Sequence, residues 1–286
     1  MQMIEVYHKF ACEQAAMPVI VGRKSRAETF AGALRTYTIK AMMGDCKVLQ
    51  AGTSHNPGQN FSRVFGTQFT DENGQRQYVW QTSWEVSTRM VGGIIMTHGD
   101  DTGLILPPRM APIQVVIIPI WKKADEKGVI LEVASNLEKI LKAAGIGVKM
   151  DESDLNTAGL KFNFWEMKGV PLRIEVGPRD VLNKSVVVSR WDMPGKDGKD
   201  FGISMDPSFL VVYIRDKLEE VQSALLARAT AFRDSNIVNV ESYEELTWRL
   251  QLEKRLRADA EESKSLEIRK LQNALEEMHM ILKEII

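Results

Sequence analysis

Cysteine is almost missing from this 286-residue chain, which has only Cys12 and Cys46. Two thiols exclude a disulfide framework and a cysteine zinc site, and they suit a reducing compartment. Long apolar runs are missing as well. None reaches the ~20 residues that span a bilayer, and the N-terminus lacks a charged stretch leading into an apolar one, so neither a membrane segment nor a targeting address is expected. Nor is there an excess of charge of either sign. Lys plus Arg number 37 against 38 Asp plus Glu, a net charge of -1, so any contact with nucleic acid must be a local patch. Internal repeats and low-complexity tracts are absent.

The common catalytic signatures are missing too: there is no GxxxxGK[ST] loop, GxGxxG, HExxH, CxxC or GxSxG. "GKDGKD" has the wrong spacing for a phosphate loop and reads as a hairpin tip. His98 beside Asp100 and Asp101 reads as solvated charge on a loop, and no metal site is expected. Ser54 next to His55 makes no triad, because triads are assembled in space.

What is present is a 44% apolar chain long enough for a full core and for roughly two domains. Met3, Ile4, Tyr7, Phe10, Ala11 and Gln14 fall at helical spacing before Pro18. The runs "VFGTQF" and "QYVWQTSW" flank "DENGQR", whose Asn73-Gly74 predicts a hairpin. "STRMVGGIIMTHG" follows as a short helix. Three prolines in "LPPRMAP" then mark a candidate boundary. Beyond it come a buried strand "IQVVIIPI", a helix over Val129 to Ala144 ended by Gly145, a short strand at Val148, and a helical or turn segment at "NFWEMKG". Strands "PLRIEV" and "SVVVSRW" and a helix from about Pro207 to Phe232 complete the order. Strands alternating with helices predict an α/β unit with at least partly parallel pairing. From Glu244 onward 18 of 43 residues are charged, and Ile268, Leu271, Leu275, Met278, Leu282 and Ile285 step by three and four. That seam fits a coiled coil and a solvated helix equally.

Two segments combine into candidate chemistry, "LQAGTSH" and "QTSWEVSTR". Small residues around Gly52 admit close backbone, Gln50 and Thr53 offer neutral hydrogen-bonding partners, and His55 can form a polar wall. Arg89, near a helix start, adds a guanidinium suited to phosphate. Such parts suit a nucleotide, although a Gly-rich turn with one Arg is more often structural.

The strings "QAGTSHNPGQNFSRVFG", "VWQTSWEVSTR", "IIMTHGDDTGLILPPRMAPIQVVIIPI" and "KFNFWEMKGVPLRIEVGPRDV" resemble, in order, the class II prolyl-tRNA synthetase family of eukaryotic and archaeal type, plant organellar members most of all. The likeness covers about Met1 to Tyr243. It implies an α+β and α/β fold in three parts. Residues 1–111 would be the distal part of an antiparallel class II catalytic core, with its third motif. Residues 112–235 would be an α/β anticodon-binding domain with a mixed sheet, and residues 236–286 a charged helical tail.

The implied activity is that of a proline–tRNA ligase in protein synthesis: ATP-dependent formation of prolyl-adenylate and transfer of proline to tRNA(Pro). ATP, with Mg2+ as its substrate complex, would meet Gln50, Thr53, Ser87 and Arg89. Phe30 and His55 would line the proline pocket. Phe162, Glu166 and Arg173 would read anticodon bases by stacking, by accepting from guanine N–H groups and by donating to guanine acceptors, with Arg179 and Lys196 as further contacts. Without the resemblance, Phe162 and Trp165 read as core aromatics and Arg173 as an outward strand residue. The implied partners are tRNA(Pro), L-proline and ATP, with a helical partner or self-association through 268–285 and no membrane. The implied compartment is the cytoplasm or an organelle.

The chain also departs from the family. Counterparts of its first and second motifs are absent, so the activity is expected to be incomplete in this chain alone; the alternative is an inactive derivative that binds tRNA or protein. Lys40, Cys46, Pro57, Glu85 and Leu160 replace Glu, Arg, Leu, a small residue and an aromatic. Glu85 would repel ATP phosphates unless it points away.

Overall fold

A computed structural model describes residues 2–154, 156–193 and 195–285, with backbone only for residue 257 and residues 266–285. The chain forms two compact units, residues 1–236 and 237–286. Helix α1 (Gln2–Lys9) runs into a π-helical turn, Phe10–Gln14. An antiparallel sheet follows in the order β1 (Val19–Arg23), β2 (Arg35–Met42), β3 (Val48–Gly58) and β6 (Gln81–Val86). Its core side packs Ile39, Ala41 and Ala51 against Ile4, Tyr7 and Ala11 of the first helical segment and against Met90 and Ile94 of α3 (Arg89–His98). At the two edges Ile20, Val21, Trp84 and Val86 are exposed.

The predicted hairpin forms between β4 (Gln68–Thr70) and β5 (Arg76–Tyr78). Only Gly74 takes a positive φ, +75°, while Asp71 accepts from the N–H groups of Asn73 and Gln75 at 3.0 and 2.8 Å. The carboxylate and one left-handed glycine thus make the turn, not an Asn-Gly pair of positive-φ residues. The flanking strands are shorter than expected. Val64 and Phe65 belong to α2 (Asn60–Phe65), which Gly66 ends at φ +66°. Val79 and Trp80 break the second run because the Val79 N–H donates to Thr67 O (3.3 Å) and its carbonyl accepts from Ser62 Oγ (2.7 Å).

The second sheet has the order β11 (Lys199–Ser204), β10 (Ser185–Arg190), β9 (Leu172–Val176), β7 (Val115–Pro119), β8 (Val148–Met150). Strand β7 runs parallel to both β8 and β9, whereas β9–β10 and β10–β11 are antiparallel, so the sheet is mixed. All five residues of β7 are buried, which is why it reads as a continuous apolar run. One face packs on α4 (Ala124–Ala143) and α7 (Pro207–Ser235) through Ile130, Leu137, Leu141, Leu210 and Ile214. The other face packs Val116 and Ile118 on Trp165 of α5 (Ala158–Met167). Helix α4 begins five residues before the expected Val129, because Glu126 Oε2 accepts from the backbone N–H groups of Lys122 and Lys123 at 3.1 and 3.2 Å and caps the earlier turn.

The two sheets are tied by polar contacts. Gln222 of α7, 4% exposed, donates through Nε2 to Glu13 O and Gln14 O at 2.9 and 3.2 Å, carbonyls that the π-helical turn leaves open. Arg109 donates to Glu13 O at 3.1 Å and to both carboxylate oxygens of Glu219 at 2.9 and 3.0 Å.

In the second unit, α8 (Tyr243–Ile285) is one helix. The side chains of the expected seam, Ile268, Leu271, Leu275, Met278, Leu282 and Ile285, lie outside the described residues. No helix among the described residues is long and apolar enough to cross a membrane.

Candidate functional site

A β-bulge gathers the first candidate set. Lys40 pairs with Gln50 and Ile39 with Gly52, so Ala51 is the extra residue. Gln50 and Thr53, three apart, would face opposite sides of a regular strand. The bulge turns both to the side occupied by Thr36 and Thr38, whose partners are His55 and Thr53, and Glu85 joins them opposite Thr53.

On that face Thr36 Oγ1 accepts from the Phe30 N–H at 3.1 Å and lies 3.0 Å from His55 Nδ1. The Phe30 and His55 rings meet at 4.8 Å between centroids. Burial pulls the His55 pKa below the ordinary imidazole range; Glu85 opposes that shift and Lys24 adds to it. The ring is therefore neutral at physiological pH, a hydrogen-bonding wall and not a fixed cation. Thr53, 2% exposed, has a buried hydroxyl with no hydrogen-bond partner among the described residues. Arg89, the first residue of α3, is exposed and reaches back to Gln50 O at 3.4 Å. Ser87 is exposed just past Val86, which pairs with Gly52.

The structure thus brings together Gln50, Thr53, His55, Phe30 and Arg89, with Ser87 at the margin. Gly52 sits on the opposite, core side, where a Cβ would lie 3.2 Å from the Tyr7 ring. The departures from the family also find places. Glu85 shares the candidate face, and Lys40 lies 4.0 Å from Glu28 in an exposed ion pair. Exposed Cys46 takes a left-handed φ of +59° in the turn before β3. Pro57 is buried and Leu160 exposed.

The second set lies on α5, β9 and β10. Arg173, 8% exposed, donates to Glu166, to Glu175 Oε1 at 3.0 Å and to Ser189 Oγ at 3.3 Å. Its guanidinium stands 3.9 Å above the Phe162 ring, with Lys199 Nζ 5.7 Å from that ring. Glu166, Arg173, Lys196 and Lys199 line one open cavity of about 410 Å³. Phe162 is half-buried, while Trp165, 6% exposed, donates to Asp151 Oδ2 at 2.7 Å and is structural. Arg179 stands apart on α6 (Pro178–Asn183), exposed, beyond the C-terminal end of β9. Sequence reasoning missed Thr36, Glu175, Ser189 and Lys199, which become partners only through strand register.

His98 is in the last turn of α3, 1% exposed, its Nε2 2.9 Å from Ala15 O and its Nδ1 without a partner among the described residues. Burial pushes its pKa down to about 4. Asp100 is instead held by Thr102, at 2.8 Å from the N–H and 2.5 Å from the hydroxyl. Among the described residues no group of three or more His, Cys, Asp or Glu side chains could hold a metal ion.

Residues 114–227 match the family model of an anticodon-binding domain, which sets the class: an α/β domain of that type following an antiparallel sheet. The chain is 70% identical over 245 residues to the chloroplastic/mitochondrial proline–tRNA ligase of Arabidopsis thaliana, covering 86% of this chain and 45% of that protein. It is 50% identical over 242 residues to the proline–tRNA ligase of Chloroflexus aurantiacus, covering 85% and 50%. A crystal structure of prolyl-tRNA synthetase from Cryptosporidium parvum complexed with L-proline and AMP matches with a TM-score of 0.78 at 41% identity, covering 85% of this chain and 51% of that one. The chain belongs to the prolyl-tRNA synthetase family, aminoacyl-tRNA synthetases that carry an anticodon-binding domain. It spans about half the length of the curated relatives it matches.

Proposed function

We propose that this chain provides one wall of an ATP- and proline-binding site together with an anticodon reader, for the ATP-dependent attachment of proline to tRNA(Pro). The observation that carries the reading is the bulged face of β3, where Gln50, Thr53 and His55 converge beside Phe30 and Arg89. A carboxylate is already ionised at neutral pH, so adenylation needs positioning and positive charge at the α-phosphate more than an acid or base. Gln50, Thr53, Ser87 and Arg89 would hold ATP, which would bring Mg2+ with its phosphates. Phe30 and neutral His55 would enclose the small proline ring.

The division falls at residues 111 and 112, with the anticodon-binding domain over 112–235. There Phe162, Glu166, Arg173 and Lys196 would read bases, and Arg179 would meet RNA outside that cluster. The compartment would be the cytoplasm or an organelle, the latter favoured by the organellar relative.

One observation favours a second reading, an RNA-binding module without catalysis. The five-stranded sheet has packed helices on both faces, while the four-stranded sheet exposes apolar residues at both edges. Two assays separate these readings. The first measures binding of tRNA(Pro) and of a transcript with altered anticodon. The second measures proline-dependent ATP–pyrophosphate exchange, expected several powers of ten below a full-length relative, since single preorganised donors are worth ~10²–10³. Anticodon-dependent binding with residual exchange that His55→Ala abolishes supports the enzyme reading. Anticodon-dependent binding without any exchange supports the module, and binding that ignores the anticodon contradicts both.

A further inference from the structure

A second cavity, of about 360 Å³, lies past the C-terminal end of β7, between the starts of α4 and α5. Strand β7 is flanked by β8 on one side and β9 on the other, and such a divergence at the carboxyl ends of parallel strands is where open α/β sheets take ligands. Four lysines line the cavity, Lys122, Lys123, Lys127 and Lys161, against one acid, Asp154. Lys161 is 3% exposed; its Nζ donates to Asp151 O at 2.9 Å, lies 3.5 Å from Asp151 Oδ1 and stands 5.6 Å from the Trp121 ring. Lys127 pairs with Asp154 and stands 5.3 Å from the same ring. Lys122 and Lys123 are exposed and make no ion pair within 4.0 Å among the described residues, although the Glu126 carboxylate, which accepts from their backbone N–H groups, lies within reach of both charges.

The N–H groups of Lys122 and Lys123, just before α4, are thus taken by Glu126, and the cavity's attraction for anions is assigned to side-chain ammonium groups. Lys161 and Lys127 are held by Asp151 and Asp154 beside the Trp121 wall, so the excess positive charge at the mouth of the cavity is that of Lys122 and Lys123. Lys161 of this cavity and Glu166 of the cavity around Arg173 both stand on α5, so one helix carries a wall of each.

We propose that this cavity binds the phosphodiester backbone of RNA beside the nucleotides that meet Phe162 and Arg173, and that it anchors the strand irrespective of sequence. The inference rests on the tRNA-binding reading above. Phosphate contacts position a nucleic acid and base contacts specify it, so the two cavities should divide affinity from discrimination.

The test compares the full chain with the Lys122→Ala/Lys123→Ala double variant, whose exposed side chains leave the core untouched. Each protein is titrated with tRNA(Pro) and with a transcript of altered anticodon between 50 and 200 mM salt, with free AMP as a separate arm. The expected result is about tenfold weaker binding of both transcripts at 50 mM, an unchanged ratio between them, and a salt slope shallower by about two. Unchanged affinity and slope, while Arg173→Lys still alters the ratio, would overturn this inference and leave the anticodon reading standing. If neither variant alters RNA binding, the tRNA reading itself falls. Saturable AMP binding lost in the double variant would assign the cavity to a free nucleotide and also overturn the proposal.

Discussion

The two sheets of the first unit solve opposite problems. In the five-stranded sheet the central strands are buried on both faces, and its candidate ligand-reading residues sit within a dense polar network at its rim. In the four-stranded sheet a single core face supports a candidate face that carries Gln50, Thr53 and His55 with Lys40 and Glu85 among them, and apolar residues are exposed at the edges. The two candidate arginines differ accordingly: Arg173 is locked among Glu166, Glu175 and Ser189, whereas Arg89 among the described residues reaches a backbone carbonyl. Substitution should therefore unsettle the fold in the second region and change ligand binding more cleanly in the first.

The largest expected effect is that of Arg173→Ala. Removing it strands Glu166 in a largely buried network and leaves Glu175 with Lys199 alone, for a cost of roughly 3–5 kcal/mol in denaturant unfolding. The matching change Arg89→Ala should leave stability within about 0.5 kcal/mol while weakening ATP binding. Next comes the buried imidazole that joins α3 to the first helical segment. His98 is held near pKa 4 when folded, against an ordinary value of 6.5. Because the unfolded state binds the extra proton, stability is full above about pH 6.5 and falls as pH drops toward 4, by up to about 3 kcal/mol. Unfolding midpoints across that range, with His98→Asn flattening the profile, check this.

A smaller effect is expected at Gly58, where φ is +61° and an added Cβ would lie 2.6 Å from Leu34 Cδ1. Gly58→Ala should cost roughly 1–2 kcal/mol from the left-handed backbone, plus whatever Leu34 must yield. The smallest belongs to Glu28→Gln, which breaks an exposed pair at 4.0 Å and should stay within about 0.5 kcal/mol.

How much of this was legible in the sequence depended on whether a signal was local. The apolar run of β7, the glycine after α4 and the alternation of strands and helices beyond Pro112 are set by nearby residues, and they read correctly. The turn at Asn73-Gly74 was found in the right place, although Asp71 does more of the work than Asn73. What could not be read depends on partners distant in the chain. The bulge at Ala51 exists only in the register of β2 against β3, yet it decides that Gln50 and Thr53 share a face. Val64 and Phe65 have strand-forming composition, but the turn ended by Gly66 draws them into a helix. His98 reads as one of a polar trio and is instead sealed beneath Ala15. The family resemblance named candidate residues that spacing could not, and strand register then showed Thr36 and Ser189 among their supports.

Arg173 allows one direct test of the division between reading RNA and holding the fold. Discrimination between tRNA(Pro) and a transcript with altered anticodon would be measured by equilibrium titration for the unaltered chain and for Arg173→Lys, which retains the charge but lacks the planar fork. Discrimination reduced about tenfold or more in a variant that still unfolds cooperatively is the expected result. An unchanged ratio in such a folded variant would mean that Arg173 serves the network alone and that the bases are read elsewhere.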